Sequence, residues 1–117
     1  MKKLLAVIGL CILAFAAAAQ DNQPAQQQSK TEIDNDQVIV RRYIHPPHSR
    51  TPMHSHSSGV VVYLTDVHER SILPDGTAKE VFHKRGDVVW APTRQHILEN
   101  LADEPIEAIE IELKDHR

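Results

Sequence analysis

The sequence predicts a single all-β domain, a sandwich or a barrel, and three observations support this. No apolar repeat of 3.6 residues persists beyond residue 31, so long amphipathic helices are not expected. Short runs rich in Val and Ile alternate instead with Gly and Pro turn signals at intervals of about eight to twelve residues. The chain has 117 residues, 41% hydrophobic and 25% charged, which is the size and composition of one ordinary globular domain.

The first 19 residues are typical of a secretory signal peptide. Lys2 and Lys3 precede an unbroken apolar run over residues 4–19, and the run closes on three alanines before Gln20, as small-residue cleavage sites do. The alternative is a membrane anchor, but this run is shorter than the roughly 20 apolar residues that span a bilayer. We therefore predict cleavage after residue 19, export to the periplasm or the medium, and no stable membrane insertion of the mature chain.

The segment that follows the signal peptide predicts a linker. Residues 20–30 are polar and rich in glutamine, with almost nothing to bury, so we expect them to be disordered and the folded domain to span 31–117. The formal net charge of −3 disfavours a nucleic-acid-binding module, because such modules carry a basic surface. Cys11 is the only cysteine and is lost with the signal peptide. The apolar core must therefore stabilise the mature domain without a disulfide.

Turn residues separate seven predicted strands in the domain. Prolines interrupt the chain within residues 46–52, and Pro74-Asp75-Gly76 is typical of a hairpin turn, because proline presets φ and glycine accepts a positive φ. In the last strand, isoleucines alternate with Glu110 and Glu112, so we expect the two glutamates to face water. The predicted strands cover residues 38–44, 60–65, 71–73, 78–82, 88–90, 96–101 and 106–113.

His54 and His56 are the first candidates for chemistry in a chain whose eight histidines all lie beyond residue 44. One residue separates them in a segment that must extend after Pro52, so both imidazoles project from the same side of a strand. If the buried face continues through Val60 and Val62, the pair points into the barrel. A buried imidazole needs a partner, and a metal ion is one. On its own, this spacing also arises by chance in histidine-rich chains.

A second segment, residues 86–100, changes this interpretation. It begins with a glycine turn, passes through a strand to a proline turn, and presents a histidine four residues before an asparagine. The two segments together resemble the two motifs of the cupins, small double-stranded β-helix barrels of the jelly-roll type. The resemblance covers roughly residues 36–113 and is closest to compact bacterial single-domain cupins, including those linked to β-alanine degradation. The residues that match are His54 and His56 in the first motif and Gly86, Pro92, His96 and Asn100 in the second.

The resemblance implies a metal site formed by His54, His56 and His96. The sequence departs from the family where a glutamate usually follows the second histidine as the fourth protein ligand, because those positions hold Val60 and Val61. The second motif also lacks its glycine after the proline. Three neutral imidazoles suit Fe, Mn, Zn, Ni and Cu, so the implied cofactor is a divalent transition metal of open identity.

Arg94 and Tyr63 are the candidate substrate-binding residues. Arg94 takes the place of the motif's glycine at the turn that forms the mouth of the barrel, where a guanidinium can clamp a carboxylate. Tyr63 can offer a phenol. The alternatives are a solvated arginine and a tyrosine packed in the core or at the rim.

Three other residues have expected structural roles. We expect Asn100 to fix a backbone turn rather than to contact the metal, and Trp90 to fill the core, since it ends a Val-Val strand. His45 is expected to lie exposed in the proline-rich loop, with lining of the pocket as the less favoured alternative.

Three functions from different classes remain open at this point. The first is a metal enzyme, with dioxygenase or isomerase chemistry on a small polar acid, although no inward Glu or Asp is evident as a general base. The second is a non-catalytic binder of a metabolite or metal ion, and the third is a metal-free interaction module. A fold hosts many chemistries, so the family cannot choose among them. The expected partners are a small-molecule ligand and a second copy of the chain, because a small barrel gains stability by burying more surface.

Overall fold

The structure, a computed structural model, describes residues 25–115, so the predicted signal peptide lies outside the described residues. All the regular structure in this part of the chain is β-strand, and the all-β prediction is confirmed. No helix among residues 25–115 is long and apolar enough to cross a membrane. The strands are β1 Gln28–Asp34, β2 Val38–His45, β3 His54–His56, β4 Gly59–Tyr63, β5 Val67–Ile72, β6 Ala78–His83, β7 Val88–Ala91, β8 Arg94–Asn100 and β9 Ile106–Leu113.

The strands form two antiparallel sheets that face each other. One has five strands in the order β1-β2-β9-β4-β7, and the other has four in the order β3-β8-β5-β6. Both sheets contribute to one small apolar core, in which Val67 of β5 joins Val61, Ile106 and Ala108 of the five-stranded sheet. The crossing order of the strands is that of a jelly roll, so the predicted barrel is confirmed.

The last strand, β9, buries the face that the sequence analysis expected to be exposed to water. Glu110 is only 7% exposed, and its partner across the sheet is the buried Val61. Ile109 and Ile111 lie on the opposite, outer face, where they pair with Val62 and Val60. The prediction that the glutamates face water was therefore wrong. Alternation shows which residues share a face of a strand, but it does not show which face is inside when the interior itself is polar.

Part of the outer face of the five-stranded sheet, on strands β4, β7 and β9, is apolar. Trp90 and Val88 on β7 are 61% and 64% exposed, so the prediction of a core tryptophan was wrong. They pair with Val60 and Val62, which in turn pair with the outward isoleucines of β9. The six residues that form this outer apolar face are Val60, Val62, Val88, Trp90, Ile109 and Ile111.

The N-terminal boundary also differs from the prediction. Strand β1 begins at Gln28 and pairs along β2, with a bulge between Thr31 and Ile33. Residues 28–30 of the predicted disordered linker are therefore ordered, and residues 20–24 lie outside the described residues. An edge strand is held by backbone hydrogen bonds and needs no buried side chain, so polarity alone does not exclude it. The side chain of Arg42 adds a bond of 3.1 Å to Glu32.

Candidate metal centre

Strand pairing brings the three predicted histidines together. His54 on β3 stands directly across from His96 on β8, and His56 follows two residues later on the same side of β3. The ring centroid of His54 lies 4.7 Å from that of His56 and 4.7 Å from that of His96. One ligand atom from each of the three side chains lies within 4.8 Å of the others. This spacing allows a single ion to contact all three.

The hydrogen bonds of these histidines run through Nδ1. His54 donates from Nδ1 to the carbonyl of Pro52 at 2.9 Å, and His56 Nδ1 lies 2.6 Å from a carboxylate oxygen of Glu112. His96 Nδ1 lies 3.4 Å from the hydroxyl of Ser71. A protein partner on Nδ1 fixes the tautomer and leaves the lone pair of Nε2 for a metal.

The Nε2 atom of His96 is the clearest sign that a partner is required. Among the described residues it is buried and has no hydrogen-bond partner, and burial without a partner costs free energy for such a polar atom. A divalent transition ion held by His54, His56 and His96 would satisfy it, and neutral imidazole is a ligand that these ions accept. The residues present therefore fit the metal that the fold implies.

Burial keeps the imidazoles of His54, His96 and His45 neutral. Burial, reinforced by the neighbouring His54, lowers the pKa of His96 to about 3. Burial also lowers the pKa of His54, and it lowers the pKa of His45 to about 4, with His54 and His56 adding repulsion. Neutral imidazole is the form that binds a metal, so the site does not have to lose protons from His54 or His96 at pH 7.

His45 does not lie in an exposed loop, and that prediction was wrong. It is the last residue of β2, it is 6% exposed, and its side chain lines the interior of the barrel with Tyr43 and His96. Asn100 accounts for its position, because the Asn100 side-chain amide donates to the His45 carbonyl at 3.1 Å and to the Pro46 carbonyl at 3.2 Å. The expectation that Asn100 fixes a backbone turn is confirmed.

Two carboxylates that the sequence analysis assigned to the surface contact the centre. Glu110 Oε1 lies 3.1 Å from His56 Nδ1, and Glu112 Oε1 lies 2.6 Å from the same nitrogen. Because Glu110 pairs with Val61, the chain places a carboxylate one strand away from a position where cupins carry their fourth ligand. The i, i+2 spacing of these glutamates was visible in the sequence, but which face of β9 is inside was not.

Glu69 is a third interior carboxyl group. It is 6% exposed and lines an inner cavity of about 100 Å³ with Tyr63, Arg94, His96 and Glu110. Burial raises the pKa of Glu69 to about 7, although Arg94 opposes the shift. A carboxyl group with this pKa can take up or release a proton near neutral pH. The expectation that no inward Glu or Asp is available as a general base was therefore wrong.

Arg94 and Tyr63 both line the inner cavity. Arg94 donates to Glu110 at 2.6 Å, and the guanidinium is largely buried. Tyr63 stacks on His83 with a centroid distance of 4.2 Å, and burial raises the pKa of its phenol. The structure thus places both residues near His96. Their assignment to substrate binding stays a prediction.

Comparisons with known proteins agree with this architecture. No protein-family model and no curated protein matches the sequence. A cupin domain from Bordetella pertussis Tohama I is 28% identical with a TM-score of 0.73, over 80% of this chain and 98% of that one. A cupin superfamily protein from Desulfitobacterium hafniense DCB-2 is 15% identical with a TM-score of 0.58, over 84% of each chain.

Part of a larger protein is also similar to this two-sheet barrel. Oxalate decarboxylase of Bacillus subtilis, an enzyme with Mn(II) centres, is 25% identical with a TM-score of 0.53, over 69% of this chain and 22% of its own length. The two-sheet barrel and its similarities define the class of protein: the described residues form a domain of the cupin superfamily. The link to β-alanine degradation stays a prediction.

Proposed function

We propose that this protein is an exported, metal-dependent cupin that binds or converts a small polar metabolite at His54, His56 and His96. The observation that carries the proposal is the buried Nε2 of His96, which has no hydrogen-bond partner among the described residues, in a ring whose centroid lies 4.7 Å from that of His54 and 5.4 Å from that of His56. Export is supported by the sequence of residues 1–19. When bound, a divalent transition metal supplies Lewis-acid polarisation of a coordinated oxygen or nitrogen atom.

The surrounding residues prepare the histidines for this role. Glu112 accepts the hydrogen bond from His56 Nδ1, and the Pro52 carbonyl accepts the one from His54 Nδ1. Carboxylate or carbonyl partners of this kind orient metal-binding histidines and raise their basicity. Glu110 is shared between His56 and Arg94, so it compensates the charge of the buried guanidinium beside the centre.

Glu69 favours an enzyme over a passive binder. A buried carboxyl group with a pKa of about 7, placed in the same cavity as His96, can move a proton to or from a bound metabolite at neutral pH. Isomerase-like chemistry uses a proton transfer of this kind. The alternative is a non-catalytic binder with the same centre, and a substrate screen with measurement of O₂ uptake separates the two.

Metal binding is the first prediction. Purified protein is expected to hold one divalent transition ion per chain, and a metal concentration of about 1,000 times Kd is expected to stabilise the fold by about 4 kcal/mol. Elemental analysis and melting curves with Zn²⁺, Mn²⁺ or Fe²⁺ at pH 7.5 test this. His96→Ala should abolish both effects, whereas His48→Ala, at an exposed histidine bonded to Asp103, should leave them unchanged. Full metal content in His96→Ala with an unchanged β-rich circular dichroism spectrum would contradict the proposed ligand set.

We also propose that the protein is a homodimer and that the outer apolar face is its interface. Side chains on three strands spaced about 4.8 Å apart, in two rows about 6.7 Å apart, form an apolar centre of roughly 200 Å², about a quarter of the roughly 800 Å² that each partner buries in a standard interface. A second copy is the favoured occupant, because a two-fold contact places each face against its own copy and the six residues of this face carry no charge.

The oligomeric state gives the second prediction. Trp90→Glu is expected to convert the dimer to a monomer, since a two-fold contact would bury two new carboxylates close together. Light scattering coupled to size-exclusion chromatography measures the mass. The matched control is Phe82→Glu, a substitution at an aromatic residue that is 65% exposed on the other sheet and that should not change the mass. A monomeric mass for the unmodified protein would refute the interface.

A further inference from the structure

A second, larger cavity opens at the mouth of the barrel, outside the inner cavity that holds Arg94. Its volume is about 570 Å³, and His54 and His56 form part of its wall. Cavities that bind small molecules have volumes of about 300–1,000 Å³. We call this cavity the mouth pocket; Arg41, Tyr43, Arg50 and Glu112 also line it.

Arg41 is an unusual residue for its position. It lies on the inward face of β2, since its partner across the sheet is the buried Glu110, and its side chain is about one-third exposed. Its contact with Glu112 is long, 3.6 Å from Nη1 to Oε1, whereas charge-assisted hydrogen bonds measure about 2.7–2.9 Å. Glu112 already accepts a bond of 2.6 Å from His56. Arg41 therefore keeps donors for another anion.

Arg50 adds a second guanidinium to the mouth pocket. Its nearest ion-pair contact is 3.8 Å from Glu99, and its side chain is 56% exposed. A guanidinium has five N–H donors, so one long ion pair leaves most of them available. Among the residues that line the mouth pocket, the two arginines face one carboxylate, Glu112. The formal charge of the pocket wall is thus positive before any metal is bound.

The guanidinium of Arg94, in contrast, is already engaged in an ion pair. Its Nη2 donates to Glu110 at 2.6 Å, and it lines the inner cavity rather than the mouth pocket. Breaking that buried pair would leave an uncompensated buried charge, which is strongly destabilising. A carboxylate-binding role fits the less engaged Arg41 and Arg50 better than it fits Arg94.

We infer that the mouth pocket binds a small organic acid, with Arg41 and Arg50 holding its carboxylates and its reactive end directed at His54 and His56. This inference names the substrate class of the proposed function. It depends on the proposed function only for the contact between the reactive end of the acid and the metal. Arg41 and Arg50 bind the carboxylates whether or not a metal is present. Tyr43 and Ser55, which both carry a hydroxyl group, are among the residues that line the same pocket, and this favours an acid that carries further polar oxygens.

Titration calorimetry with succinate and with malate, on the metal-free and the Zn²⁺-loaded protein, tests the inference. Arg41→Gln and Arg50→Gln are each expected to weaken binding at least tenfold, whereas Arg85→Gln, at an exposed turn arginine outside the pocket, should leave it unchanged. Arg41→Lys should retain part of the affinity because it keeps the charge but loses the forked geometry. Succinamide, which has the same shape without the charge, should not bind. Melting curves of each variant serve as the control that it is folded.

The outcomes separate this inference from the proposed function. Equal succinate affinity in the folded Arg41→Gln, Arg50→Gln and unmodified proteins would overturn the inference, even if one Zn²⁺ per chain is bound. No binding of either acid to the metal-loaded protein would also overturn it. Arginine-dependent binding by a protein that takes up no metal would support the inference and would contradict the metal centre.

Discussion

Asn100→Ala is expected to destabilise the barrel by about 3–5 kcal/mol, as a sum over several buried hydrogen bonds of about 1 kcal/mol each and the penalty for the groups left unpaired. The Asn100 side chain is 1% exposed. Its Nδ2 donates to the carbonyls of His45, Pro46 and Glu104, and its Oδ1 accepts from the amide of Ala102. Removing the side-chain amide leaves these buried backbone groups without their partner.

Asn35 provides a matched control for this prediction. Its Oδ1 accepts from the amides of Gln37 and Val38 in an exposed turn. Asn35→Ala therefore removes hydrogen bonds that water can replace and should cost about 1 kcal/mol or less. Urea unfolding of both variants measures the difference. A loss for Asn100→Ala no greater than that for Asn35→Ala would mean that the interior turn does not depend on this side chain.

The position of Asn100 links the stability of the fold to the site. It ties the end of β2 to the turn that follows β8. From the end of β2 the chain continues through a loop to His54 and His56. Ser49 and Thr51 in that loop are buried and bond to β8, which carries His96. A loosened loop would move two of the three imidazoles relative to the third. The Asn100→Ala variant should therefore also bind metal more weakly.

The histidines were predictable because their geometry is local. The i, i+2 spacing of His54 and His56 fixes a shared face on any extended segment, whatever the rest of the fold. The expected continuation of that face through Val60 and Val62 was wrong, since β3 and β4 belong to different sheets and the inward residues of β4 are Val61 and Tyr63. Local spacing carries no information about such a change of sheet.

The carboxylates were not predictable from the strand pattern. Strand β9 alternates Ile and Glu, and a two-residue period fits equally well with either set inside. Glu110 is inside because Arg94 and His56 are there to compensate it, and those partners come from strands far away in the sequence. The apolar set faces outward as a consequence. Long-range compensation of this kind, not local propensity, decided which face is buried.

The pH dependence of stability is the second large effect. Metal-free protein is expected to lose at least about 1.4 kcal/mol of unfolding free energy per pH unit between about pH 6.5 and 4.5. The pKa of His45 is lowered to about 4 and that of His96 to about 3, so below pH 6.5 the unfolded chain binds two protons that the folded chain does not. Their contribution is complete above pH 6.5 and is lost on acidification.

Glu69 acts in the opposite direction. Its pKa is raised to about 7 in the fold from a reference value of 4.5, so between these values the folded chain binds a proton that the unfolded chain does not. Acidification therefore lowers stability by two protons from His45 and His96 and raises it by one from Glu69, a net of one, and the lowered pKa of His54 adds a further loss in the same direction as the other two histidines. The groups that act on His45 are His54 and His56, and those that act on Glu69 are Arg94 and Glu110.

Two variants separate these contributions in EDTA-treated protein. Glu69→Gln removes the opposing proton, so the loss should become steeper by about 1.4 kcal/mol per pH unit, whereas His45→Gln should make it shallower by about the same amount over the same range. Urea unfolding at pH 6.5, 5.5 and 4.5 measures all three slopes. Parallel slopes in the three proteins would show that neither group has a shifted pKa in the fold. The interior of the barrel would then be wetter than its burial implies, and Glu69 could not serve as a proton carrier at neutral pH.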